Sequence, residues 1–348
     1  MSRKSDKTLT RLAPLLLAWF DKSARTLPWR SPRGVARDPY KVWLSEIMLQ
    51  QTTVPHAAPY FETFTTRWPS VEALAAARDE DVMQAWAGLG YYARARNLLK
   101  CAREVAAQGG FPRTETGLRA LPGIGPYTAG AIAALAFGER TPAVDGNAER
   151  VFARLLAMSE DWAAAKKRIG SIARDLVPAD RPGDFAEALM DLGATVCTPK
   201  SPNCALCPLA ELCLGRAEGN PERYPVKPEK VARPVRFGSA YVLTRKGRVW
   251  LVRRAPSGLL GGMLALPTSE WRETREHDVP PLDADWSQAG DVRHVFTHFS
   301  LNLKVWTAEA RSKELPDGFW AEVDQTAGLP TVFSKAAALG GISVPRKR

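Results

Sequence analysis

From about residue 8 to residue 215 the apolar positions return every three and four residues, as in Val71 to Ala77 and Val151 to Met158. That is the period of an amphipathic helix and not of a strand. Strand-like alternation is nearly absent here, so the stretch reads as one helical region that opens with a helix from Thr8 to Ser23. After Gly215 the pattern changes. Pro221, Pro225, Pro228 and Pro234 are mixed with charges as far as Arg236, a composition that suits an extended linker. Beyond it, Gly238 to Leu243 and Val249 to Val252 flank Lys246-Gly247 as the arms of a hairpin, and Phe299, Leu301, Leu303 and Val305 alternate as a half-buried strand should. The expected organisation is a helical unit over 8–215, a linker over 216–236 and a smaller α+β unit over 237–345.

Composition fits two ordinary globular units. The 348 residues exceed the roughly 150 of a typical domain, and 24% charged with 45% hydrophobic residues excludes a disordered or fibrous chain. Lys and Arg number 48 against 37 Asp and Glu, a net charge of +11. The excess is spread, with 29 basic and 24 acidic residues before residue 225 and 19 and 13 after it. A long anionic partner, nucleic acid first, is favoured over a basic tail. No membrane role is expected: the apolar run Leu12 to Phe20 contains Pro14 and falls short of the ~20 residues of a membrane span. The basic start Met1 to Lys7 is not followed by the small-residue cleavage site of a secretory signal. Four of the five cysteines lie between Cys197 and Cys213, which is no disulfide framework. The expected location is a reducing interior, the cytoplasm of a bacterium or the nucleus or mitochondrion of a eukaryote.

Cys197, Cys204, Cys207 and Cys213 are spaced C-x6-C-x2-C-x5-C, which puts four thiolates in one loop. Zinc sites usually join two close pairs, whereas only one C-x2-C is present, and an iron–sulfur cluster tolerates the uneven spacing. Cys101 stands apart and is expected in the core. Leu121 to Gly130 places a two-glycine turn, Gly123 and Gly125, before the apolar run Ala131 to Phe137, so the segment reads as helix, hairpin, helix. Such a turn lets backbone approach a phosphate while the second helix offers free N–H groups, a grip on DNA without sequence reading. Asp145 stands at the entrance of a helix starting near Ala148, a natural N-cap. Glu46 is the only charged residue from Val42 to Pro55. Burial among Trp43, Leu44, Ile47 and Met48 should raise its pKa and fit it to donate a proton near neutrality; the alternative is a glutamate on a solvated helix face.

Four elements, Ser45 to Thr52, Gly88 to Arg94, the glycine hairpin with Asp145, and the four cysteines, stand in an order that closely resembles the MutY-type adenine DNA glycosylases of the helix-hairpin-helix base-excision superfamily. The resemblance covers nearly the whole chain. It implies a mainly α helix-hairpin-helix glycosylase domain with an iron–sulfur loop over 197–213, followed by an α+β Nudix-like lesion-recognition domain. It further implies a [4Fe–4S] cluster on Cys197, Cys204, Cys207 and Cys213, and a monomeric enzyme that removes adenine opposite 8-oxoguanine or guanine in double-stranded DNA. Carried over by residue, Glu46 is the general acid toward adenine N7 and later helps activate water, and Asp145 stabilises the positive sugar; cleavage of an N-glycosidic bond needs both roles. Tyr127 aligns with an active-site Tyr or Ser, Asn147 with a supporting polar residue, and Gln51 and Tyr91 with residues that probe or wedge the duplex.

Endonuclease III-type enzymes place a lysine where Tyr127 stands, whose amine forms a Schiff base and cuts the strand. That bifunctional glycosylase and lyase is the alternative. A DNA-binding module with a structural cluster, tolerant of Glu46 replacement, is a third reading. In the C-terminal unit Leu264 occupies the place of the first Nudix-box glutamate, and Arg272 to His277 lacks an adjacent glutamate pair for Mg²⁺, so nucleotide hydrolysis is not expected. Phe296-Thr297-His298 matches the family's Phe-Ser-His loop that senses 8-oxoguanine, with Thr keeping the hydroxyl of Ser and adding a methyl.

Overall fold

The computed structural model describes residues 3–32, 34–226, 232–255, 258–275, 278–311, 315 and 317–345, and it divides into two compact units. Helices of the first are α1 (Arg3–Ser23), α2 (Pro39–Leu49), α3 (Val54–Arg67), α4 (Val71–Ala75), α5 (Asp79–Ala85), α6 (Tyr92–Ala107), α7 (Glu115–Arg119), α8 (Pro126–Phe137), α9 (Gly146–Leu155), α10 (Trp162–Leu176), α11 (Pro182–Thr195) and α12 (Leu214–Ala217). Their starts follow local chemistry. Asp38 accepts from the Tyr40 N–H ahead of Pro39, and Asp145 caps α9. The eight residues Thr128 to Leu135 of α8 are all buried, so this helix, apolar all round, runs through the middle of the unit. Leu12, Leu16 and Phe20 of α1 pack with Val151 and Phe152 of α9, Ile169 of α10 and Leu189 of α11 around a second core region. Among the described residues no helix is long and apolar enough to cross a membrane.

Several expected boundaries change, α1 beginning at Arg3 ahead of the expected Thr8 and α4 ending at Ala75 before the expected Ala77. The helix read through Met158 stops at Leu155, and Ala157 at φ 45° turns the chain so that Met158 still reaches the core. The linker expected over 216–236 begins later. Tyr224 is buried in the helical core, its backbone carbonyl held by Arg154, and β1 already starts at Val235. Proline-rich composition marked the segment as extended, but one aromatic ring that finds a core outweighs it.

The second unit is built on a sheet of β1 (Val235–Arg245), β2 (Arg248–Arg253), β3 (Leu264–Ala265), β4 (Ser287–Val295), β5 (Ser300–Glu309) and β6 (Phe319–Ala321), with strand order β3-β2-β1-β5-β4 and β6 beside β2. Lys246 at φ 49° and Gly247 at φ 75° make the tight turn between β1 and β2 that the hairpin reading required. β1 and β5 run parallel in register from Val235 opposite Ser300 to Thr244 opposite Glu309. Helix α13 (Thr331–Leu339) covers one face, where Val332, Phe333 and Ala336 meet Leu301, Leu303 and Val305. Leu264 begins β3, and Arg272 to Arg275 carries no helix; Glu276 and His277 lie outside the described residues.

Candidate active site

Four residues picked from the sequence converge in the first unit. Glu46 projects from the middle of α2 and is only 7% exposed, so the solvated-face alternative is excluded. The Tyr127 hydroxyl, on the first turn of α8, donates to its carboxyl. Burial raises the Glu46 pKa to about 7, the Tyr127 hydrogen bond opposes that rise, and the negative charges of Asp145 and Glu187 add to it. Tyr127 itself is held well above the ordinary tyrosine range by burial, by the charges of Glu46 and Asp145, and by its hydrogen bond to Glu46. Asp145 is pinned at the N-terminus of α9. Its Oδ1 accepts from Asn147 N at 3.0 Å and Ala148 N at 2.7 Å, and its Oδ2 from Asn147 Nδ2 at 2.8 Å. Three N–H donors at the positive end of a helix suit an acceptor-only carboxylate. One carboxyl that carries its proton near neutrality thus faces another fixed among donors.

Sequence reasoning missed the layer behind this pair. Helix α11 presents Asp184, Glu187 and Asp191 at spacings of three and four, on one face. Asp191, 0% exposed, accepts from Arg25 and from both terminal nitrogens of Arg30 at 2.7 Å, while Arg37 bridges Asp184 and Glu187, each at 2.7 Å. Carboxylates in an otherwise apolar helix, with Arg25, Arg30 and Arg37 in one earlier segment, were the available signal. Gly193 of the same helix leaves room for Asn147: a Cβ there would stand 2.6 Å from the Asn147 Cβ and 3.0 Å from its carbonyl oxygen. Arg150 then ties Asn147 Oδ1 at 2.9 Å to the Cys197 carbonyl at 2.9 Å.

The duplex-contact candidates occupy strained, open positions. Gln51 has φ 56° and Tyr91 φ 48°, left-handed conformations that neither residue type favours, and both are exposed, Tyr91 at 52%. Arg94 holds the end of α2 through the carbonyls of Ile47 and Gln50. The two hairpin glycines differ. Gly123, at φ 77°, would drive a Cβ to 2.8 Å from Asn97 Cβ, whereas Gly125 is extended, caps α8, and has open space where a Cβ would go. Only Gly123 is demanded by the fold; at Gly125 the bare backbone stays approachable.

Cys197, Cys204, Cys207 and Cys213 line one surface pocket together with Arg154 and Arg216. The loop thus gathers four thiols around one space, the donor set of an iron–sulfur centre. Burial raises the Cys207 thiol to about 11 and lifts that of Cys213. A metal centre must displace those protons. Cys101 is buried in the core, as expected.

In the second unit Phe296 is half-buried and stacks on Trp271 at 5.7 Å and 28°, while Thr297 and His298 are exposed at the turn between β4 and β5.

The chain matches the family model of HhH-GPD superfamily base excision DNA repair proteins over residues 44–179, that of the iron-sulfur binding domain of endonuclease III over 197–213, and that of the NUDIX domain over 239–339. It is 31% identical to the adenine DNA glycosylase of Buchnera aphidicola subsp. Schizaphis graminum, over 94% of this chain and 98% of the relative. To the rat adenine DNA glycosylase it is 34% identical, over 92% and 76%. To the human one it is 35% identical, over 84% of this chain and 65% of the relative's length. The structure of a thermostable thymine-DNA glycosylase superposes with a TM-score of 0.55 at 28% identity, covering 62% of this chain and 99% of that one.

Proposed function

This chain belongs to the adenine DNA glycosylase family of the HhH-GPD base-excision superfamily, and on that premise we propose that it hydrolyses the N-glycosidic bond of adenine mispaired with 8-oxoguanine or guanine in duplex DNA. The observation that carries the reading is the Glu46–Asp145 pair, a buried carboxyl raised to about 7 beside a carboxylate fixed by three N–H donors. Protonated Glu46 gives its proton to N7 of an adenine flipped out of the duplex, so the base departs with the electrons of its bond to C1′. Asp145 stabilises the positive charge left on the sugar. Water then adds at C1′, its proton passing to the Glu46 carboxylate, which restores the acid. Tyr127 holds Glu46 by hydrogen bond, and Asn147 keeps Asp145 aimed. Gln51 and Tyr91 enter the duplex beside the lesion, Gly123 and Gly125 let the hairpin approach its backbone, and Phe296, Thr297 and His298 read the base opposite adenine.

The chain has an iron–sulfur binding loop, and we infer that the group is a [4Fe–4S] cluster on Cys197, Cys204, Cys207 and Cys213. Two observations fit: the four thiols line one pocket, and Arg154 brings a buried cation to that pocket with no carboxylate partner among the described residues. When bound, such a cluster supplies a rigid, redox-capable staple. The residues around it hold the loop against α9 and α11, from which Asn147 and Glu187 project.

Single-turnover assays on duplexes carrying adenine opposite 8-oxoguanine, adenine opposite guanine, and an oxidised pyrimidine test the proposal. Free adenine from the first two, with strand breaks only after alkali, is expected. A phenol at Tyr127 in place of an amine disfavours the lyase alternative. Efficient borohydride trapping of a covalent complex, or release of the oxidised pyrimidine alone, would overturn the assignment.

A further inference from the structure

Arg154, on the last turn of α9, is one of the largest fully buried side chains in the protein, at 2% exposed. Its guanidinium donates through Nε to the Tyr224 carbonyl at 3.1 Å, through Nη1 to the carbonyls of Cys197 at 3.3 Å and Thr198 at 2.6 Å, and through Nη2 to that of Pro199 at 2.8 Å. Nη1 also lies 3.4 Å from the Cys197 sulfur. The main chain closes on the same place: Cys213 Sγ stands 3.4 Å from the Arg154 carbonyl oxygen, and a Cβ on Gly215 would come within 2.8 Å of it. Apart from that sulfur, every partner of the side chain is a neutral backbone carbonyl. Among the described residues the guanidinium forms no ion pair with a carboxylate, unlike Arg30 and Arg37, which meet Asp184, Glu187 and Asp191. A buried charge without an opposite charge is a large penalty, so this cation requires an anion that the protein chain alone does not provide.

We propose that Arg154 is the counter-cation of the iron–sulfur cluster and the hydrogen-bond donor to its first sulfur ligand, a positioning residue that fixes Cys197 and Tyr224 together and sets how readily the cluster releases an electron. The inference rests on the reading of the four cysteines as cluster ligands. A centre held by four thiolates is net negative and is one charge more negative in the reduced member of any redox pair. A fixed cation and an N–H aimed at sulfur therefore favour the reduced member. The forked guanidinium also explains the late start of the linker, because one side chain spans the first ligand and the strap that follows the last.

The test uses the full-length holoprotein with two substitutions. Arg154→Met keeps length and removes the charge; Arg154→Lys keeps the charge and loses the fork. Iron per chain is measured first, and the cluster is then titrated with ferricyanide, which takes one electron and becomes ferrocyanide, with the oxidised cluster followed by electron paramagnetic resonance. Arg154→Met is expected to oxidise at least tenfold more readily at equilibrium, a fall of about 59 mV for one electron, with Arg154→Lys between it and the parent. A full complement of iron with an unchanged midpoint in Arg154→Met would overturn the proposal. If Arg154→Met retains no iron, Arg154→Lys decides: it should retain iron at a lowered midpoint, and an unchanged midpoint or equal loss of iron refutes the role. One zinc and no iron in the parent protein would instead remove the cluster reading itself.

Discussion

Replacing Glu46 by glutamine should destroy activity and, at neutral or alkaline pH, make the protein more stable. In the folded protein burial raises the Glu46 carboxyl to about 7, against an ordinary value of 4.5. Between those two values the folded chain holds a proton that the unfolded chain has released, so stability falls as pH rises through this window and levels off above it. At about 1.4 kcal/mol per pH unit the gap amounts to about 3 kcal/mol of destabilisation at pH 8, shrinking to under about 0.5 kcal/mol near pH 4.5. Glutamine keeps the shape, still accepts from Tyr127, and never ionises. The gain of Glu46→Gln should therefore grow with pH, reaching a melting-temperature rise of about 6–12 °C at pH 8 for a unit of this size. Paired thermal melts of the iron-loaded proteins at pH 5 and pH 8, followed by far-ultraviolet circular dichroism, read the difference directly. Glycosylase rate in the parent should fall as pH rises through about 7, where the acid loses its proton. A variant no more stable than the parent at pH 8, or one whose advantage is the same at both pH values, would refute the account of Glu46 as a carboxyl whose charge is opposed by its surroundings.

Gly193→Ala should lower stability by about 1–3 kcal/mol and reduce turnover more than duplex binding, because the added methyl displaces Asn147 and with it Asp145; denaturant titration beside single-turnover rates checks both. Asp191→Ala strips Arg25 and Arg30 of a fully buried partner and should destabilise by about 3–5 kcal/mol, measured by urea unfolding. Gly123→Ala should weaken the fold, whereas Gly125→Ala should leave the melting temperature unchanged and weaken binding of any duplex regardless of sequence, as read by fluorescence anisotropy. Thr297→Ala combined with His298→Ala should reduce the preference for 8-oxoguanine over guanine opposite adenine by about ten- to a hundredfold while sparing the guanine mispair, and equal losses on both duplexes would assign this loop to folding.

The sequence by itself carried what is periodic or local. Helical spacing, the Lys246-Gly247 hairpin, the capping position of Asp145 and the cysteine loop depend on neighbours within a few residues, and each was legible without coordinates. So was the oddity of Glu46, one charge in an apolar run, although only packing decided that it points inward toward Tyr127 and Asp145. What tertiary structure alone decided is which distant side chains meet. Arg25, Arg30 and Arg37 lie more than a hundred residues from Asp184, Glu187 and Asp191. Taken one by one, these residue types occur on any surface, and only the packing of the segment between α1 and α2 against α11 joins them in an ion network around the buried Asp191. Arg154 is the sharpest case. Along the chain it is one more basic residue in an amphipathic helix, and in the fold it is a buried cation against the Cys197 sulfur, because the carbonyls that solvate it come from segments some 43–70 residues away. Local pattern determines which elements form; the balance between desolvation and pairing, which fixes the chemistry of Glu46 and Arg154, is settled only where those elements pack.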